Sequence, residues 1–461
     1  MPWIKKYAAI CILLSVFPLV WVVGRSFITE VDTEIYRYIP QESDVVIEIN
    51  NTNFISEIAY QRVFNEAYVL EKIEFEEVEV DVKTGIDFFS KTILFRENWS
   101  NESVWIAVVA YSNRADFEKY IQSKVKEAHV TFGKKHAIVQ LSPSTHQEQL
   151  DEHLKNIANQ SIKPFTTRVN LKKYFQPDNE INCYIIPPST DVDNQLIDGH
   201  LHFDFLKDHI EIDGNFTPVS GFENTPPVKY ALNEAAAFSM RSSLNVFNSI
   251  YWFTKEKIKD VPQYSQMALD YDGSKIFLVD HKWGYTFPFK TFPEIQARFD
   301  IKKPQVWQTF LDTLIANEQV RVDTTTGILV TEQGAFFQYK LNHEVFELSR
   351  GTTQFEENPA NNIYFDFQMQ ISPLLDRTNF SVDEDNPPSQ LEQTIGLSIA
   401  EEMISDLHVF DNIEQLRFQL IKESDNAIKA KGTVQMHDRE GQTMIESMFF
   451  FAEAMLFLRG F

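Results

Sequence analysis

Three stretches of this chain open in the same way, and that recurrence limits the folds available to it. "VVIEIN" from Val45, "AAAFSMRSS" from Ala235 and "IYFDFQMQ" from Ile363 alternate apolar and polar side chains. A period of two is that of a strand with one buried face. Each passes through a short polar turn into apolar residues near helical spacing; in the first copy these are Phe54, Ile55, Ile58 and Val63. Strands that return repeatedly to helices predict an α+β fold, with helices covering antiparallel sheet.

The intervening sequence supports that reading. Residues 104–112 form a strand pattern, and 113–128 a helix with Asn113 as N-cap and Phe117, Tyr120, Ile121 and Val125 on one face. A hairpin is predicted over 129–142, turning at Gly133. A second helix follows over 145–160, with Thr145 and Glu148 at capping-box spacing. His146 and His153 on that helix are expected to face solvent. Turn-rich stretches at 217–230 and 382–390 mark candidate boundaries. The expected organisation is a linker over 25–36, a first α+β lobe over 37–222 and a related second lobe over 223–461, built from diverged strand–helix and hairpin repeats.

"FDFLKDHIEIDG" (203–214) aligns with "YKLNHEVFELSRG" (339–351), and more loosely with "FQLIKESDNAIKAKG" (418–432). Apolar alternation persists, as does a closing glycine (Gly214, Gly351, Gly432), the residue expected where the backbone turns unusually. His200, His202 and Asp204 share one strand face and form a candidate metal-ligand set. Their counterparts are Phe336, Gln338 and Lys340, and a lysine repels a cation. The preferred reading is therefore a polar strand face. Asp204 and Asp208 also offer raw material for carboxylate chemistry.

The N-terminus gives an address. Lys5 and Lys6 precede an uncharged run from Tyr7 to Gly24. Eighteen helical residues span about 27 Å, close to the hydrocarbon thickness of a bilayer. The expectation is a cytoplasmic tail over 1–6, a single transmembrane anchor over 7–24 (or a signal peptide) and an exported body. The net charge of −24 argues against nucleic-acid partners. Of two cysteines, Cys11 lies in the apolar run, and Cys183 reads as a buried apolar residue.

"IPQESDVVIEIN", "TGIDFF" and "VWIAVVAYSNRADFEKYI" resemble segments of uncharacterised, repeat-containing envelope proteins of Bacteroidota. The resemblance spans most of residues 35–350 and implies an inner-membrane protein with its body in the periplasm. It carries no catalytic residues. The sequence holds no HExxH, paired CxxC, GxSxG or Walker-type loop. The leading expectation is thus a membrane-anchored, non-enzymatic interaction or scaffold protein with an envelope protein partner and no cofactor. One alternative is a binder of lipid or another apolar envelope component, motivated by 39 phenylalanines and "ESMFFFAEAMLFLRGF" at the C-terminus. A carboxylate-based hydrolase is the other.

Overall fold

The computed structural model describes residues 34–53, 84–87, 89–99, 102–124, 129–142, 144–175, 179–186, 196–206, 209–219, 222–244, 261–278, 289–331, 335–350, 355–357, 362–377, 379–382 and 413–436. The apolar run 7–24, the helix expected from Phe54, Asp208 and the phenylalanine-rich C-terminus lie outside them. Among the described residues no helix is long and apolar enough to cross a membrane. The fold is mostly antiparallel sheet with few helices, as α+β requires.

Contacts divide the chain into two units. The first contains β1 (Val45–Ile49), β2 (Thr92–Trp99), β3 (Glu102–Ala110), α1 (Arg114–Lys124), β4 (Val130–Phe132), β5 (His136–Gln140), α2 (Gln147–Ala158), α3 (Leu171–Tyr174), β6 (Ile181–Ile185) and residues 199–205 of β7 (Leu196–Phe205). Its strands run antiparallel in the order β4-β5-β3-β2-β1-β6-β7. Both sheet faces are covered. On one face Val46, Ile93, Phe95, Ile106 and Ile138 pack against Leu150, Leu154 and Ile157 of α2. On the other, Ala107, Ala137 and Val139 meet Phe117 of α1. Burying each large aliphatic side chain contributes about 1.5–3 kcal/mol, so the two layers hold the sheet between them.

The helix starts differ in an instructive way. Asn113 caps α1 as expected, its Oδ1 accepting from the amides of Ala115 (2.9 Å) and Asp116 (3.2 Å). Thr145 does not cap α2. Its hydroxyl and amide both donate to Glu102 at the start of β3, and Ser144 Oγ takes the His146 amide instead. The Glu102 carboxyl is held below its usual range by hydrogen bonds from Ser144 and Thr145. A tertiary carboxylate has thus replaced the local box. His153 also departs from expectation, lying largely buried with Nε2 2.9 Å from Glu97 Oε2.

The second unit contains β8 (His209–Pro218), β9 (Phe238–Ser242), β10 (Tyr264–Leu278), β11 (Phe289–Ile301), α4 (Pro304–Ala316), β12 (Val320–Asp323), β13 (Ile328–Thr331), β14 (Phe336–Leu341), β15 (Val345–Ser349), β16 (Ile363–Gln370), α5 (Ile371–Asp376), β17 (Asn379–Val382), β18 (Ile413–Ser424) and β19 (Ala427–Met436). Eleven strands run antiparallel in the order β8-β19-β18-β16-β9-β10-β11-β15-β14-β13-β12. β17 pairs parallel with the end of β10. The expected boundary at 222/223 falls inside this unit, because β8 takes its hydrogen bonds from β19, more than two hundred residues downstream.

Alternation is preserved strand by strand, so the sheet has one apolar and one polar face. Ile212, Gly432, Phe418, Phe367, Met240 and Leu269 are register partners in turn on the apolar face. Gly432 explains itself there. A Cβ on it would lie 2.8 Å from the Arg417 carbonyl oxygen and 3.0 Å from the Phe418 ring. Gly214 and Gly432 therefore sit inside strands, the latter for close approach rather than for a turn.

Candidate functional site

In the first unit, three polar side chains line up across three strands. Glu48 of β1 is the register partner of Asn182 of β6, and Asn182 that of His202 of β7. All three are buried, at 0%, 0% and 6% exposure, in a molecule where such groups must find partners inside. Asn182 Nδ2 donates to Glu48 Oε1 (3.1 Å), and Asn182 Oδ1 lies 2.8 Å from His202 Nδ1. With the amide nitrogen turned to the carboxylate, its oxygen faces the ring, which assigns the hydrogen to His202 Nδ1. Tyr36 donates its hydroxyl to Glu48, and Lys91 Nζ sits 3.0 Å from the same carboxylate.

His200, His202 and Asp204 share one face, as their spacing predicts. His200 is half-buried, its ring 5.1 Å from that of His202 and 5.0 Å from Tyr174. The face is not a solvated one at His202, because Asn182 and Glu48 draw it into the core. Among the described residues no group of three or more His, Cys, Asp or Glu side chains is placed to hold a metal ion. Cys183, next to Asn182, is buried, and burial pushes its thiol up to about 12, far from thiolate chemistry at neutral pH.

The second unit carries a longer polar row. Asp213, Lys431, Gln419, Asp366, Arg241, Ala268, Arg298, Glu347 and Lys340 are successive register partners on one face of its sheet. At its centre Arg241 donates from Nη1 to Asp270 Oδ1 (2.7 Å) and from Nη2 to Oδ2 (3.2 Å). Its Nε donates to the Ala231 carbonyl (2.7 Å), and Ser239 Oγ donates to Asp270 Oδ1 (2.7 Å). Asp366 stands in register opposite Arg241; burial raises its carboxyl above the usual range, against the lowering effect of Gln419 and Arg417.

Where the row leaves the core it meets a cleft. Gln296, Arg298, Glu347, Ser349 and Phe355 are among the residues lining a cavity of about 400 Å³. Arg298 donates from Nη1 to Glu347 (2.6 Å) and from Nε to Asp300 (3.2 Å), and its guanidinium stands 5.3 Å from the Tyr230 ring. Tyr230 donates its hydroxyl to Asp300 (2.9 Å); burial and that bond push its pKa up, so it stays a phenol. The Phe355 ring packs 5.9 Å from Tyr230 and 5.1 Å from the Arg241 guanidinium. The two charged side chains that line the cleft itself, Arg298 and Glu347, are paired with each other.

The chain matches no protein family, no curated protein and no solved structure. The site therefore stands on its own geometry. Sequence reasoning found His200, His202 and Asp204 but missed Glu48, Asn182, Arg241, Asp270 and Asp366. A signal was present: each of the three recurrent opening strands carries one charged residue amid apolar alternation, at Glu48, Arg241 and Asp366.

Proposed function

We propose that the chain is a membrane-anchored extracytoplasmic protein whose principal role is non-enzymatic, as an interaction or scaffold protein of the bacterial envelope. The observation that carries this reading is the uncharged run Tyr7–Gly24 behind Lys5 and Lys6. In this reading that run is a single inner-membrane anchor. The body beyond it lies in the periplasm, with two lobes descended from common strand–helix and hairpin repeats and an envelope protein as partner. The internal pairing of Glu48, Arg241 and Arg298 supports it, since these charges are spent on neighbouring side chains. The resemblance to Bacteroidota envelope proteins supports the same address.

The test is fractionation of native cells, protease treatment of spheroplasts, and crosslinking with identification of captured proteins. The expected result is a chain that sediments with inner membrane, is cut only when the periplasm is opened, and crosslinks to one envelope protein reproducibly. Recovery of the intact chain in the soluble cytosol overturns the reading.

A second reading, binding of lipid or another apolar envelope component, is favoured by one observation. Phe238, Phe365, Phe367 and Phe418 share the apolar sheet face of the second unit with ring centroids 5.2–6.4 Å apart, yet are only half-buried. Stoichiometric lipid in the extract of the purified protein, with no crosslinked protein partner, would favour it.

A further inference from the structure

We propose that the cleft on the polar face of the second unit binds a neutral, hydroxyl-rich ligand of the size of a mono- or disaccharide. The inference is independent of where the protein resides in the cell. It begins with charge. Arg298 and Glu347 face the cleft as a pair 2.6 Å apart, so the lining is neutral. An anion entering the cleft must compete with Asp300 and Glu347, both already on the guanidinium. A cation must compete with Arg298 and with Lys340, whose Nζ lies 3.6 Å from Glu347. An apolar molecule would strip water from Gln296, Arg298, Glu347 and Ser349 and return no hydrogen bonds, leaving each polar group unmet.

A neutral polyol avoids all three costs. Arg298 has five N–H donors and Glu347 about four acceptor positions, so a fixed pair retains capacity for hydroxyl groups of either sense. Ser349 and Gln296 add a hydroxyl and an amide on the neighbouring register positions of β15 and β11. One wall is different in kind. Phe355 contributes an aromatic ring, against which Tyr230 and Arg241 pack. A pyranose is polar at its edge and carries C–H groups on its faces, so it suits a polar floor beside the negative face of a ring. The cavity of about 400 Å³ falls at the small end of ligand-pocket sizes, which limits the ligand to one or two rings.

The groups are also held in place before any ligand arrives. Arg298 is fixed by Asp300, Glu347 and the Tyr230 ring, and the sheet register sets Gln296 against Ser349. Little side-chain freedom remains to be lost on binding, which favours a small ligand with few contacts.

The test uses the full chain in detergent micelles, titrated calorimetrically with glucose, galactose, N-acetylglucosamine, maltose, cellobiose and chitobiose, and in parallel with glutamate, lysine and diglycine. The expected result is saturable binding of at least one neutral sugar and none of the charged or peptide probes. Ser349→Ala should weaken it about three- to tenfold through one lost hydrogen bond. Phe355→Leu, which keeps an apolar wall but removes the aromatic face, should weaken it by a similar factor of about three to ten. Both variants should keep the wild-type melting profile, which separates a lost ligand from a lost fold. If a variant melts early, Glu347→Gln supplies the same readout at the neighbouring position on β15. No saturable sugar binding up to roughly 10 mM, binding that all folded variants retain unchanged, or preference for diglycine or a charged probe would each overturn the proposal.

Discussion

Asp270 holds Arg241 through two hydrogen bonds at side-chain exposures of 5% and 2%, and the pair is worth most when considered by what its loss leaves behind. Removing one partner strands the other charge out of water, which costs about 3–5 kcal/mol. Asp270→Ala is therefore expected to lower the unfolding free energy of the second unit by that amount, read through hydrogen exchange of β9 and β10 so that the first unit does not mask it. Asp366 makes the opposite case. Its folded carboxyl binds a proton more readily than the unfolded one, because burial opposes the charge. Its contribution is thus fully present below the unfolded value and is lost as pH rises through the raised folded value. Asp366→Asn, which cannot ionise, should be more stable than wild type at neutral pH, and the two midpoints should converge as pH falls below the ordinary aspartate range. A wild type that gains relative stability with rising pH would refute this sign. Cys183 offers a simple chemical check. In a Cys11→Ser background its thiol, pushed up to about 12, should react with iodoacetamide only after unfolding.

At the scale of elements, alternation was the legible quantity. It located β1, β9 and β16 and placed His200, His202 and Asp204 on one face, while residue preference predicted the cap at Asn113. It failed wherever a long-range partner overrode a local rule. Thr145 has the spacing of a capping box, but Glu102, forty-three residues away, takes its hydroxyl. His202 looks like a surface residue in sequence because its burial depends on Asn182 of the preceding strand, which is tied in turn to Glu48 far upstream in the chain. Gly85 shows how such a constraint acts on an element. Its φ is +65°, and a Cβ would fall 2.3 Å from the Asn113 carbonyl oxygen and 2.4 Å from the Phe117 nitrogen. The backbone of residue 85 approaches the first turn of α1 so closely that only hydrogen fits. Its carbonyl also accepts from the amide of Ser112 (2.8 Å). Gly85→Ala should consequently displace the start of α1 and expose Phe117. The expected loss is about 1–3 kcal/mol from strain alone, and Asn113→Ala at the adjoining cap should lose about 1 kcal/mol. Amide exchange across Arg114–Lys124 measures both, and protection there unchanged by Gly85→Ala would contradict the close approach.

The whole molecule is governed by the distance over which its ladders close. Phe216 of β8 pairs with Ile428 of β19, so the second unit cannot complete its sheet until nearly all of the described chain is present. In the first unit the ladders joining β1, β2, β3, β5 and β6 close between Val45 and Ile185. Long-range pairing of this kind delays folding, since loop closure must precede the contacts that reward it. The two units should therefore respond differently to truncation. A chain ending at residue 412 lacks β18 and β19, which removes the hydrogen-bonding partner of β8 and the strand next to β16. The β8 amides that pair with β19 and the β16 amides that pair with β18 should exchange at nearly the unprotected rate, while the β16 amides that face β9 keep their partners. Those of β1, β2, β3 and β5 should keep most of their protection, because Val46, Phe95 and Ile106 still pack on Leu150 and Leu154. Loss of protection in both sets together would mean that the first unit draws its stability from the second, and the division into two separately stable units would have to be given up.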